Sequence, residues 1–173
     1  MSAHVQIQTH LQGGVFGALK RKVLGGESLF TNTFTALGAS GEVTLAPTLP
    51  GDLNQVALAG GTLFLQSGSF VASSEGIQID TAWWGSRGFF SGEGLFLLKA
   101  SGTGDLHFSS YGAIHKVDLD GSAPYIVDTG HIVAFSDTVQ YTVRKAAGGV
   151  FNTAASGEWL VSEYVGPGEI LMQ

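Results

Sequence analysis

The chain has 173 residues, a formal net charge of −6 and no cysteine. Charged residues make up only 13% and hydrophobic residues 44%, which excludes a disordered chain and fits a well-buried domain. The acidic balance argues against nucleic-acid binding, because that binding needs lysine and arginine against phosphates. No disulfide or thiol chemistry is possible. The start lacks a signal-peptide pattern and no apolar run nears the ~20 residues that span a bilayer, so we expect a cytoplasmic protein.

Short apolar runs separated by glycine predict a succession of β-strands, with one helical turn between Val15 and Val23. Paired glycines supply the positive φ of a tight turn, so we expect a hairpin at Gly60-Gly61. The Asp120-Gly121 turn and the C-terminal strands on either side of Gly166-Pro167 are expected to repeat this hairpin. The run 102–104 predicts a further turn between strands. The predicted strands in chain order are 5–9, 30–36, 41–45, 55–59, 62–66, 69–73, 77–80, 95–100, 105–110, 115–119, 125–128, 131–135, 139–144, 158–165 and 169–171.

An internal repeat organises these strands into a single all-β domain. Glu27, Glu93 and Glu158 lie in similar surroundings at spacings of 66 and 65 residues. A unit of that length therefore occurs three times, over residues of approximately 1–50, 51–111 and 112–173. Several glycines mark equivalent turns of the repeats, namely Gly68 with Gly130, and Gly41 with Gly104 and Gly168. At Gly68 and Gly130 we expect a positive φ or a close backbone approach.

The first repeat is short of its leading half. The segments that lead to Glu93 and Glu158 begin near Gly51 and Gly112, whereas only 26 residues precede Glu27. Two interpretations are open: the chain is a shortened form, or another subunit supplies the missing strands. The strands around the missing part, Leu29–Ala36 and Leu95–Ala100, are apolar and carry few lysines. Because an unpaired sheet edge is a template for another chain, we expect self-association there.

Several runs of the sequence, in the same order, resemble a known family: Gly25 to Phe30, Gly88 to Leu97, Ser110 to Ile114 and Val127 to Phe135. The chain is similar to the mitochondrial biogenesis family named for altered inheritance of mitochondria, which is also widespread in bacteria and archaea. The resemblance implies three repeats related to the double-stranded β-helix of the tryptophan RNA-binding attenuation protein. It also implies a homotrimer and no established activity.

Possible chemical sites have stronger structural interpretations. Each of the three repeated glutamates follows a glycine at a strand entry, where a carboxylate can accept backbone N–H groups. Asp128-Thr129-Gly130 matches the aspartic-protease triplet, but that chemistry needs two aspartates sharing a proton, and the equivalent positions read Gln66-Ser67-Gly68. We predict that neither these glutamates nor Asp128 lies in a shared cleft, and we expect no catalytic site.

Metal and cofactor sites are likewise not predicted. The segment that begins at Asp118 resembles the start of a calcium loop, but its twelfth position is Thr129 rather than an acid, so we expect a turn. His107, His115 and His131 are scattered over strands and lack a converging set of ligands. We therefore expect no bound metal and no cofactor.

An aromatic segment has the most unusual local composition of the chain. Two interpretations are open for it: an exposed loop that contacts a protein or membrane surface, or apolar packing at a repeat junction. The residues concerned are Trp83, Trp84, Arg87, Phe89 and Phe90. As the function we expect a non-enzymatic scaffold or interaction protein, with a trimer favoured. The alternative is a small-molecule-binding protein or enzyme that uses the β-helix interior, and a polar, solvent-connected cavity would favour it.

Overall fold

The chain is an all-β protein made of antiparallel strands. The structure, a computed structural model, describes residues 1–11, 30–82, 97–145 and 160–173. Within these ranges no helix is long and apolar enough to cross a membrane. The described residues form β1 (Val5–Leu11), β2 (Phe30–Ala36), β3 (Leu53–Gln66), β4 (Phe70–Ser73), β5 (Ile77–Ala82), β6 (Leu97–Ser109), β7 (His115–Leu119), β8 (Tyr125–Asp128), β9 (Ile132–Ser136), β10 (Gln140–Lys145), β11 (Leu160–Val165) and β12 (Gly168–Met172). The predicted helical turn at 15–23 lies outside them.

The chain divides into two compact units, Met1–Ala46 and Pro47–Gln173. In the first unit, β1 and β2 form a two-stranded antiparallel sheet that runs from the pair Val5–Ala36 to the pair Leu11–Phe30. The predicted strand over 41–45 is wrong, because these residues join no sheet. The backbone of Glu42 instead bonds to Ser2, whose N–H donates to the Glu42 carbonyl at 2.9 Å.

The second unit contains two sheets. The larger has seven strands in the order β4-β6-β3-β9-β12-β7, with β5 also paired to β6. The smaller has three strands in the order β10-β11-β8. A 3₁₀ turn, Ser67–Ser69, joins β3 to β4, and another, Thr129–His131, joins β8 to β9. All of the strand pairs in these two sheets are antiparallel.

Two of the predicted turns are wrong, because the residues on either side belong to single long strands. Gly60-Gly61 lies inside β3, and the run 102–104 lies inside β6. The two strands pair with each other along nearly their whole length, from Leu53–Ser109 to Gln66–Leu97. A hairpin at the paired glycines would pair the two halves of β3 together. In the structure both halves of β3 pair with the single long strand β6 instead.

The paired glycines form a β-bulge. Between the pairs Ala59–Thr103 and Thr62–Ser101, β3 carries two residues and β6 carries one. Gly60 has φ +85°, the left-handed conformation that glycine adopts at such bulges. One extra residue reverses the alternation of faces along β3. Val56 therefore shares a face with Leu63 although their numbers differ in parity.

The Asp120-Gly121 turn exists, but it does not make a hairpin. Its flanking strands join different sheets, since β7 pairs with β12 and β8 pairs with β11. The C-terminal strands do the same on either side of Gly166-Pro167, where the predicted repeat of the hairpin is also wrong. Proline has no N–H to donate to a ladder, so the strand ends there. At these two places the chain passes from one sheet of the unit to the other.

One buried cluster of the second unit brings together residues from both of its sheets. Phe135 of β9 is fully buried and contacts Tyr141 and Tyr164 of the small sheet, with ring centroids 5.0 and 5.3 Å away. Phe64 of β3 stacks on Phe135 at 5.2 Å. Such aromatic pairs add about 0.5–1.5 kcal/mol each to the effect of burial. The buried residues of this cluster are Leu97, Leu119, Val127, Ile132, Phe135, Val139, Tyr164 and Ile170.

Candidate interaction surface

One hydrogen-bonded junction recurs at three places in the chain. In each, a serine hydroxyl accepts from the backbone N–H of an acidic residue that follows a glycine. The three pairs are Ser2 with Glu42 at 2.9 Å, Ser74 with Asp105 at 2.9 Å, and Ser136 with Glu169 at 3.1 Å. In each, the backbone N–H of the residue three after the serine also donates to the serine carbonyl, at 3.1 Å in Val5, Ile77 and Val139.

The glycines of these junctions, Gly41, Gly104 and Gly168, are the ones that the sequence marks as equivalent. A side chain at any of them would collide with residues at the start of the neighbouring strand or just before it. A Cβ atom on Gly104 would lie 2.8 Å from Ser74 Cβ, and one on Gly168 would lie 2.6 Å from Val139 Cγ2. The junction therefore needs glycine for a steric reason. Its serine partners were missed in the sequence, although Ser-x-x-Val or Ser-x-x-Ile precedes a strand at each place.

The two 3₁₀ turns are equivalent, but the prediction made for their glycines is wrong. Neither Gly68 nor Gly130 has a positive φ. The nearest atoms to a Cβ on each would belong to flexible side chains, Gln66 Oε1 at 3.0 Å and Asp128 Oδ1 at 3.7 Å. A tight 3₁₀ turn has ordinary helical φ values, so it does not need the left-handed conformation.

Asp128 has a local structural contact. Its carboxylate accepts from the Gly130 N–H at 3.1 Å and so caps the 3₁₀ turn. Gln66 occupies the same position before the other turn and accepts from the Ser69 hydroxyl at 3.5 Å. The turn interpretation of the Asp-Thr-Gly triplet is thus confirmed for Asp128.

The loop at Asp120 is also a polar turn. Its carboxylate accepts from the Ser122 N–H at 2.8 Å and from the Ser122 hydroxyl at 2.7 Å, and these bonds lower the pKa of Asp120. Asp118 faces Lys116 at 3.5 Å, and Lys116 also pairs with Glu169. The bond with Glu169 and its charge raise the pKa of Lys116.

Some of the site residues considered in the sequence lie outside the described ranges and others lie within them. Glu27, Glu93 and Glu158 lie outside the described residues. So do the aromatic segment residues Trp83, Trp84, Arg87, Phe89 and Phe90. Among the residues that the structure describes, no three His, Asp or Glu side chains come together as a metal site would require. The described histidines stay apart, with His107 on β6, His115 on β7 and His131 in a 3₁₀ turn.

The small sheet carries a row of three tyrosines. Tyr141, Tyr164 and Tyr125 lie side by side across β10, β11 and β8. Burial raises the pKa of Tyr164 strongly and that of Tyr141 to a lesser degree. The Tyr164 hydroxyl and Ser162 Oγ are buried and make no hydrogen bond of good geometry within the described ranges, although Ser162 is near enough to lower the pKa of Tyr164 slightly against the effect of burial. The other buried polar residues of the described ranges are Ser69, Ser109, Ser110 and Thr129.

Two strands of the second unit have an edge without a partner strand among the described residues. β8 pairs only with β11, and β4 pairs only with β6, among the strands that the structure describes. Tyr125 and Ile126 on β8 are 36% and 51% exposed. Other edges carry charges: Lys116 lies on β7, and Arg144 on β10 forms an ion pair with Glu163 at 2.6 Å. Charged residues on edge strands discourage pairing with another chain, and β4 and β8 lack lysine and arginine.

These features define an all-β protein of antiparallel sheets with free sheet edges as its candidate interaction surface. The chain belongs to the family described as Mitochondrial biogenesis AIM24, whose profile matches residues 1–173. It is 31% identical over 168 residues to an uncharacterized protein of Streptococcus pyogenes serotype M6. That alignment covers 93% of this chain, and the chain spans 64% of the relative's length.

A solved structure shares the fold. A crystal structure of a protein from Streptococcus pyogenes superposes with a TM-score of 0.80 at 30% identity. The alignment covers 99% of this chain and 77% of that one.

Proposed function

We propose that the protein is a non-enzymatic scaffold or interaction protein that assembles through its sheet edges into a closed trimer. The observation that carries this proposal is that β4 and β8 each pair with one strand only among the strands that the structure describes. On β8, Tyr125 and Ile126 are also exposed. Unpaired N–H and C=O groups of a strand bind another strand readily. Closed symmetry satisfies them without growth into fibres.

The composition of the interior supports the scaffold over the small-molecule alternative. The space between the two sheets is filled by aromatic and aliphatic side chains around Phe135. A ligand or catalytic site would instead present several converging polar groups. The observation left to the alternative is that the buried Ser162 and Tyr164 hydroxyl groups lack a hydrogen bond of good geometry among the described residues, so that a small polar molecule would find polar groups there.

We also propose that the chain adopts the double-stranded β-helix of three repeats that its family resemblance implies. Two observations support it. The serine–glycine junction occurs at Ser2, Ser74 and Ser136, once in each predicted repeat. The strand, 3₁₀ turn and strand around Gly68 recur around Gly130, 62 residues later.

The partner beyond a second copy stays a prediction. The aromatic segment from Trp83 to Phe90 is proposed as a contact for a protein or membrane surface, and no nucleic acid is expected from a chain of net charge −6. A cytoplasmic location is part of the same proposal, and cell fractionation with an antibody checks it.

Light scattering after size exclusion at low protein concentration tests the assembly. We expect a mass three times the chain mass of 18.0 kDa. A folded monomer of 18.0 kDa at every concentration would overturn the proposal. Native mass spectrometry of the purified protein tests the alternative, because a retained small molecule would appear as a fixed added mass that disappears on denaturation.

A further inference from the structure

Two segments of the second unit have the same local structure. Each consists of a leading strand, a 3₁₀ turn and a following strand: β3 with β4 around Ser67–Ser69, and β8 with β9 around Thr129–His131. The following strands even share a bulge. β4 shifts register against β6 between Phe70 and Ala72, and β9 shifts against β12 between Ile132 and Ala134. Each residue of the first segment corresponds to the residue 62 positions later in the second.

The two segments pair with each other in one way only among the described residues. The leading strand of the first, β3, pairs with the following strand of the second, β9. The register joins Leu63 to Ser136, Phe64 to Phe135 and Leu65 to Ala134. The same interaction is left unmade by the other two strands. These are the leading strand β8 and the following strand β4, whose corresponding edges have no partner strand in the part of the chain that the structure describes.

From this repeated geometry we infer that β8 of one copy pairs antiparallel with β4 of a second copy, as β3 pairs with β9 within the chain. A shift of 62 positions gives the register. It joins Tyr125 to Ser74, Ile126 to Ser73 and Val127 to Ala72. This inference rests on the proposed self-association and names the strands and the register that produce it.

The chemistry of the two edges suits this pairing. The stretch from Tyr125 to Val127 and the stretch from Phe70 to Ser73 contain no charged residue. The adjacent Asp128 has its carboxylate bonded to the Gly130 N–H within its own turn. Ile126 is 51% exposed, so pairing would cover apolar surface as well as satisfy backbone groups.

The contact is heterologous, since it joins two different strands of identical chains. Each copy then offers one β8 edge and one β4 edge. A heterologous contact forms a ring if its rotation closes and a filament if it does not. In a ring of three copies every β8 edge meets a β4 edge, which agrees with the proposed trimer.

Disulfide cross-linking tests the register directly, because the chain has no cysteine of its own. Ile126→Cys chains and Ser73→Cys chains, carrying tags of different size, are mixed, dissociated, reassembled and oxidised. We expect a covalent dimer that contains both tags. The matched control replaces Ile126→Cys by Ala123→Cys, three residues and about 10 Å along the chain, beyond the reach of a disulfide. That mixture should yield at least tenfold less of the dimer.

Lysine variants give a second measurement. Ile126→Lys and Ser73→Lys place a charge on the proposed edges, and each should reduce the scattering mass to that of one chain while circular dichroism stays unchanged. Thr142→Lys adds the same charge to the exposed strand β10 and should keep the assembled mass. A trimer that yields no Ile126→Cys to Ser73→Cys dimer and survives both lysine changes would overturn this inference but leave self-association standing. A wild-type monomer would overturn both.

Discussion

The steric requirement at the serine–glycine junction can be measured with a series of three alanine substitutions. All three lie on the paired strands β3 and β6: Gly104→Ala, Gly60→Ala and Gly61→Ala. Gly104 has φ +145°, and a Cβ atom there would lie 2.8 Å from Ser74 Cβ. Gly60 has φ +85° with no atom within 4 Å of a Cβ, whereas Gly61 has open space and no positive φ.

The series therefore separates two physical causes. Gly61→Ala removes only the extra backbone freedom of the unfolded chain, so it should be neutral or stabilise by up to about 1 kcal/mol. Gly60→Ala adds the strain of a positive φ, about 1–2 kcal/mol. Gly104→Ala adds a collision with a packed neighbour to that strain, and collisions of this kind cost about 1–3 kcal/mol. Its total destabilisation should be about 2–5 kcal/mol.

Urea unfolding followed by circular dichroism measures these differences as shifts of the midpoint at constant slope. The order of stability should be Gly61→Ala, then Gly60→Ala, then Gly104→Ala. Equal effects of Gly60→Ala and Gly104→Ala would refute the argument, because they would mean that contact with Ser74 contributes nothing.

Three further predictions concern the same unit. Ser74→Ala should destabilise by about 1 kcal/mol in urea, since the Asp105 N–H loses its acceptor at 2.9 Å. Phe135→Ala should cost about 3–5 kcal/mol by the same assay, because a fully buried ring leaves a cavity, and a loss below 1 kcal/mol would contradict its place in the core. Tyr164→Phe removes a buried hydroxyl that makes no hydrogen bond of good geometry among the described residues and should stabilise by roughly 1 kcal/mol near neutral pH. Burial raises the pKa of Tyr164, so the unfolded chain loses its proton first and stability falls above about pH 10. Thermal unfolding at pH 9 to 11 should show a smaller fall for Tyr164→Phe, and an unchanged fall would show that this hydroxyl is not responsible.

The positions of most strands could be predicted from the sequence, because alternation and glycine punctuation are local signals. The bounds at Phe30–Ala36, His115–Leu119 and Tyr125–Asp128 agree with the prediction. The pairing of strands could not be predicted in the same way. Gly60-Gly61 suits a tight turn and a bulge equally well, since both use a positive φ, and only the long partner β6 decides between them.

The strands that have no second partner were predicted only in outline. Counting repeats indicated an open edge next to residues 29–36 and 95–100, but this position is wrong for 97–100, which lie in β6 and pair with β3 and β5. An edge is defined by the partners that a strand lacks, and these depend on the whole fold. The equivalence of Gly41, Gly104 and Gly168 was visible in the sequence, while their contacts with the strand entries are long-range and became apparent only in three dimensions. The 3₁₀ turns at Gly68 and Gly130 gave no distinct signal, because their backbone is one that any residue adopts.

The chain crosses between the two sheets at Asp120-Gly121 and at Gly166-Pro167, and these crossings affect how cooperatively the second unit unfolds. Both crossings connect a strand of the small sheet directly to a strand of the large one. Only a few residues connect β7 to β8 and β11 to β12, so unfolding of a strand in the small sheet should also destabilise the connected strand in the large sheet. The two sheets should consequently exchange their amide hydrogens as one cooperative block rather than as separate foldons. Hydrogen exchange should then give equal opening free energies for the amides of β11 and β12.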